Sequence, residues 1–255
     1  MLLAVDIGNT NIVFGLFKEG QLQMHWRIRT ERNRTTDEYW VLVQEFIRLN
    51  SADPEIIDAL IVSCVVPPLV PVFEELSRKF FDTEALVVGP GIKTGIPILY
   101  KNPLEVGADR IVNAVAGFEK YGGPLILVDF GTATTFDAVS ARGEYLGGAI
   151  APGIRISLEA LFRNTAKLSP VDLAVPERVI GRSTMESIQS GTVYGFVGMI
   201  DSIVERMQKE LGAPAKVVGT GGLIRVIGEQ VKSIQTVDDF LTLDGLRIIY
   251  ERNRK

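Results

Sequence analysis

The sequence predicts an α/β protein in two homologous halves, each a mixed sheet flanked by helices, set around a central cleft. Three observations carry this reading. The apolar run Leu2-Leu3-Ala4-Val5 ends in Asp6-Ile7-Gly8-Asn9-Thr10, and a second apolar run, Ile12 to Phe17, follows at once. That order reads as strand, tight turn, strand, with the polar atoms gathered in the turn. The same order recurs at Leu125–Val139, where Asp129, Phe130, Gly131 and Thr132 stand between an apolar run and an alternating strand. Asp6 and Asp129 are 123 residues apart in a chain of 255, as a duplication of half the chain requires. Each hairpin is then followed by a further strand and by helical segments.

In the first half, Gln21 to Arg29 continues as a third strand, so the sheet begins antiparallel. Thr36-Asp37-Glu38 supplies the hydroxyl and acidic groups of a helix start, and that helix runs to Leu49. Ala59 to Val66 is apolar throughout except at Ser63 and reads as a buried strand. Pro67 and Pro68 open the next helix, and Glu84 to Val88 is another strand. Gly89 to Thr94 has a lysine among glycines, but not at the spacing of a phosphate-binding P-loop. Pro97 to Pro103 is extended and carries Tyr100; Leu104 to Tyr121 reads as a helix.

The second half places strands at Leu125–Asp129, Thr134–Ser140 and Tyr145–Ala151, then a Pro152-Gly153 break and a helix to about Phe162. Thr165 to Ile180 is rich in turn formers and reads as a loop. Apolar residues at helical spacing predict a long helix from Ser183 to Leu211, with interruptions expected near Gly191 and Gly195. Lys216 to Gly219 is a strand running into Thr220-Gly221-Gly222, and the tail is helical. The breaker Tyr121-Gly122-Gly123-Pro124 puts the boundary between the halves near it, giving 1–117 and 118–255.

Composition narrows the function classes. An apolar fraction of 46% suffices for substantial cores. A net charge of −4, with no basic stripe, gives no attraction to nucleic acid or anionic membranes. Arg27 to Arg34 is the densest basic stretch and reads as a solvated connection. No apolar run reaches the 18 residues of a membrane span. The single cysteine, Cys64, lies in an apolar run and fits a buried thiol in a reducing, cytoplasmic setting. The only histidine, His25, lies on a predicted strand beside Trp26 and reads as structural; without another, neither a His-based metal cluster nor a Ser-His-Asp triad is expected.

The hairpins carry the chemistry. Gly8 lets the backbone approach a ligand closely, and Asn9, Thr10 and Asn11 offer short side chains and amides to phosphate oxygens. Asp6 sits at a strand end, where a carboxylate holds a metal directly or through its water. Alone this is also an ordinary turn; the recurrence at Asp129 favours phosphate handling. Asp109 and Arg110 stand in the first turn of a helix, where a carboxylate also simply complements the macrodipole. Tyr100 and Thr184 read equally well as an edge-of-core aromatic and a helix cap.

Asp6-Ile7-Gly8-Asn9-Thr10 and Asp129-Phe130-Gly131-Thr132-Ala133-Thr134 resemble the phosphate motifs of the acetate and sugar kinase, Hsp70 and actin superfamily, whose fold is actin-like (ribonuclease H-like). With Gly107-Ala108-Asp109-Arg110 and Ile180-Gly181-Arg182-Ser183-Thr184 in order, the chain resembles the type III pantothenate kinases, once labelled Bvg accessory factors. The resemblance implies transfer of the γ-phosphoryl of ATP to pantothenate, the first step towards coenzyme A, with Asp109 as the base. It implies nucleotide contacts along Asp6, Ile7, Gly8, Asn9, Thr10, Asn11, Ile12 and Val13 and at Thr132, with Thr220-Gly221-Gly222 near the adenosine. Pantothenate would be held by Tyr100, Gly107, Ala108, Asp109, Arg110 and Thr184, where the Arg110 guanidinium suits a carboxylate. Mg²⁺ would accompany ATP, and Asp129 would hold a monovalent cation, K⁺ or NH₄⁺. The family is homodimeric, and the apolar residues of Ser183–Leu211 exceed what one packed face needs. The rival readings are another small-molecule kinase or phosphohydrolase of the superfamily, and a non-catalytic regulatory protein.

Overall fold

The two apolar runs that open the sequence pair as an antiparallel hairpin of β1 (Leu2–Ile7) and β2 (Asn11–Lys18), with Leu2 opposite Phe17 and Ile7 opposite Ile12. The coordinates are a computed structural model that describes residues 1–50 and 57–254. β3 (Gln21–Arg29) joins β2 antiparallel, while β4 (Ala59–Cys64) and β5 (Leu86–Val87) add in parallel beyond β1, giving the order β3-β2-β1-β4-β5. β1 and β4 are interior strands, so their sequences are near-continuous apolar runs; β3 is an edge and alternates. α1 (Thr36–Leu49) starts where Thr35 and Glu38 cap one another reciprocally. It buries Tyr39, Val43 and Ile47, one face at four-residue spacing. α2 (Val70–Phe81) follows a short 3₁₀ turn at Pro67–Leu69 and buries Phe73, Leu76 and Phe81 against the same core.

α3 (Ala108–Tyr121) leads to the second sheet, whose strands are β6 (Leu125–Phe130), β7 (Ala133–Val139), β8 (Tyr145–Pro152), β9 (Lys216–Thr220) and β10 (Thr236–Val237). Their order, β8-β7-β6-β9-β10, has the directions of the first sheet: two antiparallel neighbours on one side and two parallel on the other. The repetition reaches single residues. β1 and β6 share one burial pattern, with Asp6 and Asp129 as the half-buried fifth residue of an otherwise buried strand. α4 (Ile154–Arg163), α5 (Thr184–Leu211) and the short α6 (Ile224–Ile227) pack their apolar residues on this sheet. α5 runs without the interruptions expected at Gly191 and Gly195, since nothing there crowds or breaks its backbone.

The chain divides into two units: Met1–Ile96, Lys101–Ala116 and Leu241–Lys255 in one, Pro97–Tyr100 and Gly117–Phe240 in the other. The boundary expected from the sequence, 117/118, makes each half continuous. Here α7 (Leu241–Asn253) groups with unit 1, where it packs on β1 and β4 and where Thr242 Oγ1 donates to Asn113 Oδ1 of α3 at 2.7 Å. Pro97–Tyr100 groups with unit 2. Among the described residues no helix is long and apolar enough to cross a membrane.

Candidate active site

In unit 1 the turn between β1 and β2 is braced from outside. Gly8 N donates to Asn11 O at 3.0 Å, closing the turn. Thr30, just past β3, donates its hydroxyl to Gly8 O at 2.7 Å and its backbone N–H to Thr10 O at 3.0 Å. Arg32 Nη2 donates to Asn9 Oδ1 at 3.3 Å. The Arg27–Arg34 stretch is therefore not merely a solvated connection: Thr30 and Arg32 hold the turn that carries the polar groups. Asn9 and Thr10 are exposed, Gly8 and Asn11 half-buried. Ile7 and Ile12 are wholly buried core residues, and Val13 is half-buried.

Gly107–Arg110 reaches the same end of this sheet. Val65 N, following β4, donates to Ile7 O at 3.0 Å, and a Cβ on Gly107 would lie 3.7 Å from Val65 Cγ1. The same Cβ would stand 2.5 Å from Asp109 Oδ1, so the Asp109 carboxylate folds back over a position that only glycine leaves free. Asp109 Oδ1 accepts from the Arg110 backbone N–H at 2.8 Å. Burial pushes the Asp109 carboxyl above the ordinary aspartate range, against the opposing pull of the Arg110 N–H and its guanidinium. The result is a carboxylate more basic than one in water, beside the buried Arg110 side chain. The helix proper begins at Ala108, and Pro103–Glu105 forms a separate 3₁₀ turn, shorter than the helix expected from Leu104.

In unit 2 the turn Gly131–Thr132 repeats the closure, Gly131 N donating to Ala133 O at 3.0 Å. Thr132 is exposed, and its carbonyl accepts from Gly153 N at 3.1 Å, which ties the turn to the start of α4. Asp129 pairs in register with Thr220, the last residue of β9. Gly221 follows with φ at +96°, and a Cβ there would stand 2.4 Å from Asp129 Oδ1 and 2.6 Å from Phe130 N. Thr220-Gly221 thus lets the backbone approach the Asp129 carboxylate, a cradle that any side chain would fill. Among the described residues no three His, Cys, Asp or Glu side chains gather into a metal cluster. Carboxylates placed singly at strand ends fit hard cations that take their other ligands from phosphate, backbone oxygen and water.

The two remaining predicted residues lie elsewhere in unit 2. Tyr100 is half-buried against Tyr145, with ring centroids 6.4 Å apart. Thr184 is the exposed first residue of α5, after the N-cap Ser183, whose hydroxyl accepts from Glu186 N at 3.2 Å. It lines a cavity of about 770 Å³ with Arg182, Ser187, Ile188, Leu161 and Leu168. Unit 1 therefore gathers Asp6–Val13 with Gly107–Arg110, and unit 2 gathers Asp129 and Thr132 around one strand end, with Tyr100 and Thr184 at sites of their own.

The chain is similar to known proteins over its whole length. The profile of the type III pantothenate kinase family matches residues 2–206. A type III pantothenate kinase of Myxococcus xanthus is 56% identical over 253 residues, 99% of each chain. That of Geobacter sulfurreducens is 55% identical over 255 residues, the whole of both. Among solved structures, a protein described as a Baf family transcriptional activator from Campylobacter jejuni superposes with a TM-score of 0.63 at 19% identity, covering 98% of each chain. An inorganic polyphosphate/ATP-glucomannokinase from Arthrobacter does so at 0.50 and 13% identity, covering 99% of each, and shares the fold. The actin-like duplicated α/β architecture is that of these kinases, and the chain belongs to the type III pantothenate kinase family.

Proposed function

We propose that the chain transfers the γ-phosphoryl group of ATP to the primary hydroxyl of pantothenate, yielding 4′-phosphopantothenate and ADP. The observation that carries this reading is the match, at 55–56% identity and end to end, with relatives named for that activity. It favours this kinase over the regulatory alternative and over another acceptor within the superfamily.

Asp109 is assigned the base. It accepts the hydroxyl proton as the oxygen bonds to the γ-phosphorus and the bond to the β,γ-bridging oxygen breaks, the electron pair leaving with ADP. Its raised basicity suits that task, and Arg110 beside it suits the pantothenate carboxylate. Gly107 and Ala108 contribute backbone at the helix start, with Tyr100 and Thr184 further contacts. The exposed Asn9 and Thr10, in the turn braced by Thr30 and Arg32, are assigned to meet phosphate oxygens, and exposed Thr132 does so in unit 2. When bound, Mg²⁺ neutralises triphosphate charge and a monovalent cation relieves repulsion between phosphate and carboxylate. Asp6 would hold the first, directly or through its water, and Asp129 the second.

The protein is further assigned as a homodimer. α5 buries Ile188, Val193, Ile200 and Val204; Tyr194, Phe196, Val197, Met199, Ile203 and Met207 pack against the same core yet stay half-buried, which leaves apolar surface for a second copy. A coupled ADP-release assay with Mg²⁺, K⁺ or NH₄⁺ and a panel of small hydroxylated acids tests the activity. Turnover is expected with pantothenate; turnover with another acceptor alone would replace the substrate assignment.

A further inference from the structure

We propose that Asp137 and Tyr145 are positioning residues that set the ring of Tyr100, and through it the affinity for the acceptor. This rests on the reading above that Tyr100 contacts the acceptor.

Tyr145 is wholly buried and Asp137 is 1% exposed, on the sheet face opposite the core residue Phe136. A buried carboxylate, in a strand whose other buried residues are Thr134, Phe136, Ala138 and Val139, is costly unless it has a partner. Tyr145 hydroxyl donates to Asp137 Oδ1 at 2.7 Å. The other end of Tyr145 is fixed to the segment that carries Tyr100: Tyr145 N donates to Pro97 O, and Leu99 N to Tyr145 O, each at 2.8 Å. Tyr145 is thus anchored through its hydroxyl and through its backbone, and its ring lies against Tyr100 at a 46° tilt. These bonds account for the grouping of Pro97–Tyr100 with unit 2.

The register of β8 completes the seat. Ala138 faces Gly147 and Val139 faces Tyr145, so Leu146 is the extra residue of a bulge. Along β8, Tyr145 and Gly147 are buried while Leu146 between them is exposed. Gly147 has φ at +113°, and a Cβ on it would stand 3.2 Å from Tyr100 Cε2. Without that Cβ, the Tyr100 ring rests directly on the backbone. Asp137, Tyr145 and Gly147 therefore act on one object, the orientation of Tyr100.

The test is Tyr145→Phe, alone and in a Tyr100→Ala background, in the full chain. Loss of one buried hydrogen bond is expected to raise the acceptor KM about tenfold, with kcat and the ATP KM within about twofold. In the Tyr100→Ala background the same change should add nothing, since coupled residues do not act additively. Gly147→Ala leaves the Asp137–Tyr145 bond intact and should also raise the acceptor KM; it serves as well if Tyr145→Phe folds poorly. A second readout needs no acceptor. In protein labelled with 3-fluorotyrosine, the Tyr100 ¹⁹F resonance, assigned among six tyrosines by its loss in Tyr100→Phe, should shift or broaden in Tyr145→Phe or Gly147→Ala. A shifted resonance in a protein that does not phosphorylate pantothenate would support the positioning role and reject the acceptor assignment. An unmoved Tyr100 resonance in both variants, or KM effects additive with Tyr100→Ala, would overturn the proposal.

Discussion

Asp109→Asn separates the catalytic from the structural role of the carboxylate. Asparagine keeps the size of the side chain and an oxygen to accept from the Arg110 N–H at 2.8 Å, so the turn at Gly107 should persist. What it loses is the ability to take a proton. General-base loss costs about 10²- to 10⁴-fold in kcat, or about 2.7–5.4 kcal/mol of transition-state stabilisation. Stability should move the other way. Burial raises the folded-state pKa of Asp109, so the folded protein holds this proton more tightly than the unfolded chain, whose aspartates titrate near about 3.9. The stabilising contribution is then complete below the unfolded pKa and is lost as pH rises through the folded one, so at neutral pH the ionised group opposes folding. Asp109→Asn should be at least as stable as the wild type at pH 7 in urea, with the difference vanishing in acid. In the wild type, the acid limb of kcat/KM against pH should lie above the ordinary aspartate pKa. A folded Asp109→Asn protein turning over at the wild-type rate would refute the base assignment. A variant markedly less stable at pH 7 would refute the reading of its burial.

Three further outcomes are expected. Activity should depend on K⁺ or NH₄⁺ at matched ionic strength, and Asp129→Ala should blunt that dependence together with ATP use; equal rates in Na⁺ would make Asp129 a turn residue. Gly221→Ala places a Cβ 2.4 Å from Asp129 Oδ1 at a φ of +96°. It should lower stability by about 1–3 kcal/mol in denaturant titration and raise the cation concentration for half-maximal activity; unchanged values would place the Asp129 cradle elsewhere. Met199→Glu, on the half-buried face of α5, should yield monomers in sedimentation and weaken pantothenate use; a fully active wild-type monomer at assay concentration would end the dimer assignment.

The sheets were legible because interior strands of a mixed sheet must be apolar on both faces, so Leu2–Val5 and Leu125–Val128 stand out, and an Asp-x-Gly turn bounds each. The helix start at Thr36 was legible because capping chemistry is local, whereas at the long helix the cap is Ser183 and not Thr184. What long-range contact decides was not. Thr30 and Arg32 sit in a basic run that resembles any exposed connection, and only the folded chain brings them to Gly8 and Asn9. Tyr145 gives no linear sign that its hydroxyl meets Asp137, because period-two alternation marks which face a residue takes and not its partner. β10 is two residues long, too short for any period. The glycines of α5 suggested interruption by propensity, yet burial of Ile188, Val193, Ile200 and Val204 on one side outweighs about 1 kcal/mol per glycine. The return of α7 to unit 1 left no signal because an amphipathic tail does not name the sheet it covers.

The measurement that bears most directly on the central claim is the product balance of one reaction containing the protein, ATP, Mg²⁺, K⁺ and pantothenate, followed by mass spectrometry and ³¹P NMR. The account predicts one phosphomonoester of pantothenate on its primary hydroxyl for each ADP formed, and no ADP without acceptor. ADP release independent of pantothenate, or ATP binding with no phosphorylated product, would contradict it.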